Sequence, residues 1–327
     1  MAGGQAQVEG DGALRATFAG PVSARARASV LESGAELVAE VQSADVVHLT
    51  LEPASTAEAL DDLIGIGKNV VLHVLPSPLD ADHVGRLRSR AAEAGLVVAV
   101  PFVQRYYPMV RLARRRVRSG APGPLHLMHG WSLRGAVPAW FDLIEFVSRH
   151  RVQRVVSAAV ASTWLESRDG DIELPGAVGL LFATDRGSVG TLAVSHSRPI
   201  EGGTCLVVLD GVEESIVFHE GRPEVLDVMG RSSTQRFQRG VGADLSRYST
   251  QPTGAPQGTR DCWSAFIADA HAAVRGGTPD GLATLADLAR SAALSETVRR
   301  SEASGTWTAV GAGIDRDLLT TTEGNTA

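Results

Sequence analysis

The chain has 327 residues, 44% apolar and 21% charged, which is enough for two domains with separate cores in an ordinary globular protein. A net charge of −6 gives no basic footprint for nucleic acid. No stretch approaches the ~20 apolar residues of a membrane span, and the polar start MAGGQAQVEGDG is no signal peptide, so the expectation is a cytoplasmic protein without membrane or nucleic-acid partners.

From Leu14 to about Val100, strands and helices alternate. LRATFAG reads as a strand and PVSARARASVLESG as a helix ended by Gly34. ELVAE and DVVHLTL are strand-length apolar runs. STAEALDDLIGIG reads as a helix with Ser55 as N-cap. NVVLHVL is almost continuously apolar, as in a parallel strand covered on both faces. Val84, Leu87, Ala91 and Ala94 then repeat at helical spacing, and LVVAVPF is another buried strand. Strands separated by helices imply a parallel sheet with right-handed crossovers.

PMVRLARRRVRSGAPG reads as a helix with a basic stripe, Arg111, Arg114, Arg115 and Arg118, as a solvated face or a phosphate contact. Beyond Gly120 the pattern becomes strand-rich: LHLMHGWSL, RVVSAAVASTWL, AVGLLFAT, SVGTLAVSHS, TCLVVLD and ESIVFHE, with TDRGS and LDGVEES as hairpin turns. The helix PAWFDLIEFVSRH interrupts this series. Residues 227–258 read as a long loop, and two helices follow, the first with Trp263, Phe266, Ile267, Ala270 and Val274 on one face. The fold class is therefore α/β with a parallel-sheet domain over 1–120. An α+β domain with a large, mostly antiparallel open-faced sheet spans 121–312, its last helices packing back on the first domain. A tail over 313–327 is expected to be disordered. Cys205 and Cys262 read as buried thiols, not a disulfide framework or a metal cluster.

Several segments in this order resemble the Gfo/Idh/MocA family (glucose-fructose oxidoreductase, inositol dehydrogenase, MocA-like proteins) from about residue 14 to 310. ADVVHLTLEP resembles the strand before its Thr-Pro turn, and GKNVVLHVLPSPL its Glu-Lys-Pro segment. VQRYYPMVRLARRRVRSGAPGPLHLM resembles its Arg-aromatic-x-Pro helix, and PQGTRDCWSAFIADAHAAVRGG onward its closing helix pair. The resemblance implies a Rossmann domain joined to an open-faced sheet, oligomeric through that sheet, and NAD(P)-dependent redox chemistry on a sugar, polyol or related metabolite.

The departures set the functional reading. No G-x-G-x-x-G is present, so close backbone approach to a pyrophosphate is in doubt. The preferred alignment makes LRATFAG the second family strand, leaving the domain N-terminally shortened; the other makes it the first, with GPVSAR at the glycines. Val74 or Leu75 replaces the family lysine, and neither can donate a proton to a reacting oxygen. The chain's one lysine is Lys68. Ala139 replaces a family histidine, and EPASTA lacks another.

Polar groups near the inferred cleft remain. His73 lies beside the old lysine position and titrates near neutrality when unperturbed; a satisfied core histidine is the plain alternative. Arg105 is a candidate to stabilise oxyanion charge, or to form an interdomain salt bridge. Asp142, retained from the family pattern, is the third catalytic candidate. Gln104, Tyr106, Trp131, Trp140 and Glu145 are candidate substrate contacts, the tryptophans as an aromatic wall. His129, His196, Arg198 and Tyr248 are weaker candidates. No metal site is expected. The leading expectation is a repurposed enzyme without nicotinamide, performing elimination, epimerisation or cyclisation on a small oxygenated metabolite. The alternative is an NAD(P)-dependent oxidoreductase with a nonstandard acid. A third reading is a noncatalytic subunit. Homo-oligomers, or pairing with a full-length homologue, are the expected assemblies.

Overall fold

The computed structural model describes residues 13–77, 80–133, 136–160, 163–165, 172–174, 176–195, 205–240, 248–252, 255 and 257–311. The first layer is a five-stranded parallel sheet: β1 (Leu14–Ala19), β2 (Ala35–Leu37), β3 (Val46–Leu49), β4 (Asn69–Leu72) and β5 (Val98–Ala99), in the order β2-β1-β3-β4-β5. Helices α1 (Ala24–Glu32), α2 (Pro53–Gly65) and α3 (Ala81–Glu93) make its crossovers.

Successive strand residues point to opposite faces, which divides the layer into two cores. Val47, Leu49, Val70, Leu72 and Val98 pack with Leu60 and Leu63 of α2 and Val84 and Leu87 of α3. Ala16, Val46, Val71 and Ala99 face the other way, toward Val30 of α1. Each fully buried aliphatic side chain contributes about 1.5–3 kcal/mol of transfer free energy. The position of β1 corrects the preferred alignment. It pairs in parallel with β2 through Ala16↔Leu37 and with β3 through Ala16↔Val46. It therefore holds the central place of the first strand in a doubly wound sheet, whose order is 3-2-1-4-5-6. Among the described residues, the strand lacking is the edge one beyond β2.

A 3-10 turn, Val103–Tyr106, and α4 (Pro108–Arg118) lead into the second layer. Its strands are β6 (Leu125–Leu133), β7 (Val152–Val160), β10 (Ala177–Thr184), β11 (Val189–Ser195), β12 (Cys205–Gly211), β13 (Glu214–His219), β14 (Val225–Gly230), β15 (Thr234–Gln238) and β16 (Thr308–Ala309). They form one sheet in the order β15-β14-β13-β12-β6-β11-β10-β7-β16, antiparallel except for β11 beside β6. β8 (Thr163–Leu165) and β9 (Ile172–Leu174) make a separate small ribbon. Helix α5 (Val137–Ser148) and α4 cover the large sheet through Val110, Leu143 and Val147 against Val207, Ile216 and Phe218. Helix α6 (Thr259–Val274) returns to pack on α1, and α7 (Leu285–Ser304) on α3.

Three local expectations change. Helix α2 starts at Pro53 with Glu52 flanking it, so Ser55 is not its N-cap; proline suits the first helical turn, where its missing N–H costs no bond. Asp227–Gly230 and Thr234–Gln238, read as loop, pair as β14 and β15, with Leu226 opposite Phe237. The basic stripe on α4 is half buried: Arg111 and Arg114 lie over the Phe146 ring at 5.0 and 3.9 Å from its centroid. Cys205 and Cys262 are both buried and unpaired with one another. Residues 313–327, His196 and Arg198 lie outside the described residues. Among those described, no helix is long and apolar enough to cross a membrane.

Candidate functional site

The strand order reverses between β1 and β3, and in open α/β sheets a crevice opens at the carboxyl ends of such strands. Gly20 ends β1 with φ +117°, and a Cβ there would lie 2.9 Å from the Thr50 carbonyl carbon and Oγ1. Glycine is therefore required for this tight turn. Exposed Pro21 and Val22 follow, and Ser23 caps α1 by accepting the Ala26 N–H at 3.1 Å. On a G-x-G-x-x-G frame Gly20 takes the first glycine place, Val22 the second and Arg25 the third. Exposed Glu40 lies just past β2, about 20 residues beyond Gly20, where an acidic residue can bind a ribose hydroxyl. The turn thus fits a dinucleotide at the tight glycine, the α1 N-terminus and the ribose acid. Two features fit a pyrophosphate poorly: Pro21 offers no N–H, and Val22 carries a side chain where bare backbone would approach.

A second feature was not anticipated. Three histidines form a hydrogen-bonded chain between the parallel sheet and α6. His73 Nε2 lies 2.9 Å from His48 Nδ1, His48 Nε2 lies 2.9 Å from His271 Nε2, and His271 Nδ1 lies 2.6 Å from Ser33 Oγ. Ser33 Oγ donates its proton to the Val30 carbonyl at 2.6 Å. Phe18 and Trp263 wall the chain. Burial holds all three imidazoles below the usual histidine range, His73 and His271 to about 4, and at His48 its two histidine neighbours add to the effect. The three are neutral at pH 7. The sequence singled out His73 alone. The signal for His48 was a polar residue inside the apolar run VVHL, and for His271 its place on the same helix face as Ile267 and Ala270.

Ser33 also lines a polar cavity of about 480 Å³ between α1, α6 and residues 248–251, with Ser29, Glu32, Tyr106, Ser264 and Asp269. Tyr106 is buried against Phe266, and burial beside Asp269 pushes its phenol well above the usual range.

Arg105 and Asp142 come together, but as a closed ion cluster. Arg105 donates to both Asp142 oxygens at 2.8 and 2.5 Å and to Asp287 at 2.6 Å, and its guanidinium lies 4.8 Å from the Phe146 centroid. Burial would lower the Arg105 pKa; its two carboxylate partners outweigh this and raise it. Burial pushes Asp142 up to about 6 against the pull of Arg105. Asp287 is also pressed upward by burial, yet Arg105 and the Thr284 amide hold it below the usual carboxylate range.

Glu145 separates from Asp142. It accepts from Arg290 at 2.7 Å, Arg151 at 2.6 Å and the Val152 amide at 2.9 Å, tying α5 to α7 and β7. Glu145, expected as a substrate contact, is instead engaged by these two arginines, while Asp142 is engaged by Arg105. Trp140 is 1% exposed, packed on Phe141 and Phe182, and its Nε1 donates to the Leu206 carbonyl at 2.9 Å. It is core rather than a ligand wall; Gly130 leaves room for it by having no Cβ. Trp131 is nearly buried, edge-on to His219. Gln104 is half-buried in the 3-10 turn. Lys68 donates to the Gln42 and Ala44 carbonyls at 2.8 and 2.9 Å before β4 begins, at the end of the sheet away from the crevice. No group of histidine, cysteine or acidic residues among those described could hold a metal.

No protein-family profile matches the chain. No curated protein matches it. Solved structures do. An oxidoreductase from Sinorhizobium meliloti superimposes with TM-score 0.78 at 18% identity, over 90% of this chain and 99% of that one. The fold is that of the Gfo/Idh/MocA oxidoreductases. An inositol dehydrogenase homologue from Azotobacter vinelandii, complexed with NADH and myo-inositol, matches with TM-score 0.74 at 14% identity over 91% of this chain and 97% of that one. Levoglucosan dehydrogenase with NADH and levoglucosan matches with TM-score 0.72 at 17% identity over 91% and 100%.

Proposed function

We propose that this protein is an NAD(P)-dependent oxidoreductase acting on a sugar, polyol or related carbonyl compound, with an imidazole replacing the family lysine as proton-handling group. The observation that carries this is the crevice at the β1/β3 reversal: a glycine turn, an open helix N-terminus and an acidic residue past β2 occur together where a dinucleotide would lie. When bound, the dinucleotide supplies the hydride acceptor or donor. Gly20 and Ser23 shape the turn, the first amides of α1 favour phosphate charge, and Glu40 favours a free ribose 2′-hydroxyl and hence NAD. His73, next to the aliphatic Val74, is the ionisable group left at this edge of β4, and positioned acid/base groups supply roughly 10²–10⁴-fold.

Fluorescence titration with NADH and NADPH tests the reading, followed by NAD⁺ reduction with myo-inositol, levoglucosan and a panel of monosaccharides. Saturable NADH binding with turnover of one such substrate supports it; no binding of either nucleotide at millimolar concentration overturns it. Pro21 and Val22 favour a second reading, acid/base chemistry on a similar metabolite without nicotinamide. The same titration decides between the two.

A further inference from the structure

The histidine chain has a direction. Ser33 commits its only proton to the Val30 carbonyl, so toward His271 it can only accept. Nδ1 of His271 must therefore carry the proton, and its Nε2, in a neutral ring, bears a lone pair. His48 then donates from Nε2, which leaves its Nδ1 as an acceptor. His73 in turn donates from Nε2. Each ring fixes the tautomer of the next, and the sequence ends at His73 Nδ1, unprotonated and without a hydrogen-bond partner among the described residues. His48 is fully buried while His73 is half-buried, so the free lone pair belongs to the ring nearest the crevice.

We propose that His73 Nδ1 is the proton acceptor of the reaction, and that His48, His271 and Ser33 are positioning residues that hold its tautomer and relay the proton to the polar cavity between α1 and α6. This rests on the oxidoreductase reading. In the oxidative direction the substrate hydroxyl gives its proton to His73 Nδ1, while the carbon-bound hydrogen leaves with its electron pair to the nicotinamide. His73 Nε2–H then passes to His48 Nδ1, His48 Nε2–H to His271 Nε2, and His271 Nδ1–H to Ser33 Oγ. Ser33 releases its own proton into the cavity, where Glu32 and Asp269 stand. One proton enters, one leaves, and every ring stays neutral with its tautomer reversed. Reduction of a carbonyl runs the same chain backward and restores the starting tautomers; between successive oxidations His73 loses its Nδ1 proton to water in the crevice and the chain takes one back from the cavity at Ser33, which resets each ring. The device suits a site whose rings resist charging, because no imidazolium has to persist in the buried segment.

Long-range ¹H–¹⁵N spectra of the histidine-labelled protein at pH 7 test the chain without ligand. His73 and His48 should be Nε2-protonated and His271 Nδ1-protonated, all neutral; Ser33→Ala should mix the tautomers of His271. A Nδ1-protonated or charged His73 overturns the proposal. With NAD⁺ and the substrate found by the panel, His73→Gln should lower kcat at least about 100-fold, and Ser33→Ala about tenfold, with NADH affinity unchanged in both. Unchanged kcat in His73→Gln overturns the catalytic role. Failure of the wild-type protein to bind nicotinamide would instead overturn the functional reading, and the tautomers alone would then decide the chain.

Discussion

The indole of Trp263 stacks on the imidazole of His73, with ring centroids 5.3 Å apart and planes 20° from parallel. The contact covers one face of the ring, and burial is what holds His73 at about 4. Trp263→Ala should raise the His73 pKa toward 6.5 by opening that face to water. An NMR titration of the ring reads it, and an unmoved pKa would show that Trp263 is not what keeps water away.

Stability should fall in mild acid. For each of His48, His73 and His271 the folded pKa is depressed, so below about 6.5 the unfolded chain binds protons that the folded chain refuses. For His73 and His271 the loss runs from about pH 6.5 down to about pH 4, at up to roughly 1.4 kcal/mol per pH unit for each ring, and His48 acts in the same direction. The groups facing these rings are Phe18, Trp263, Ser33 and, acting on His271, Arg275. Denaturant midpoints at pH 7, 6, 5 and 4.5 measure the slope. A flat profile from pH 7 to 5 would mean the rings are less buried than described.

Glu145→Ala should cost about 3–5 kcal/mol, the usual penalty for leaving one partner of a buried ion pair uncompensated. Arg290 and Arg151 each lose a bond to this carboxylate, and the Val152 amide loses its acceptor. Thermal unfolding should drop by roughly 4–7 °C, while NADH affinity holds in the protein that folds. A selective loss of affinity with normal stability would restore Glu145 as a ligand contact.

The nucleotide turn can be tuned in both directions. Val22→Gly removes the side chain at the second glycine place, and NADH should bind about tenfold more tightly, or about 1.4 kcal/mol. Gly20→Ala forces a Cβ against Thr50 at positive φ, with a cost of about 1–3 kcal/mol and loss of binding. Titration of the two variants against the parent gives the answer; looser binding in Val22→Gly would place the pyrophosphate elsewhere.

Periodicity made the fold legible because the large sheet buries alternate residues, as along Ala177–Thr184, while the parallel sheet buries consecutive ones. The run NVVLHVL announced a doubly covered strand, and Val70, Val71 and Leu72 are each fully buried. Strand order was not legible: LRATFAG carries no mark of which neighbours it takes, and the preferred alignment moved it one place from the centre. The site was half legible. His73 and Tyr106 could be chosen by their position in the motifs. His48 and His271 lie 223 residues apart and meet only when α6 folds back across the sheet. Arg105 and Asp142 were visible as chemistry, but the closure of their cluster by Asp287 depends on the cap of a helix far along the chain.

That closure has a mechanical consequence. Asp287 accepts the Thr284 amide with one oxygen and Arg105 with the other, while Arg105 also grips Asp142 of α5 and the Gly281 carbonyl. Swinging the α5 lobe away from the parallel sheet would part a shielded cation from one of its two counter-ions. The cluster therefore rivets α5, the 3-10 turn and the start of α7 together at one shielded point, where parting them would expose a bare charge.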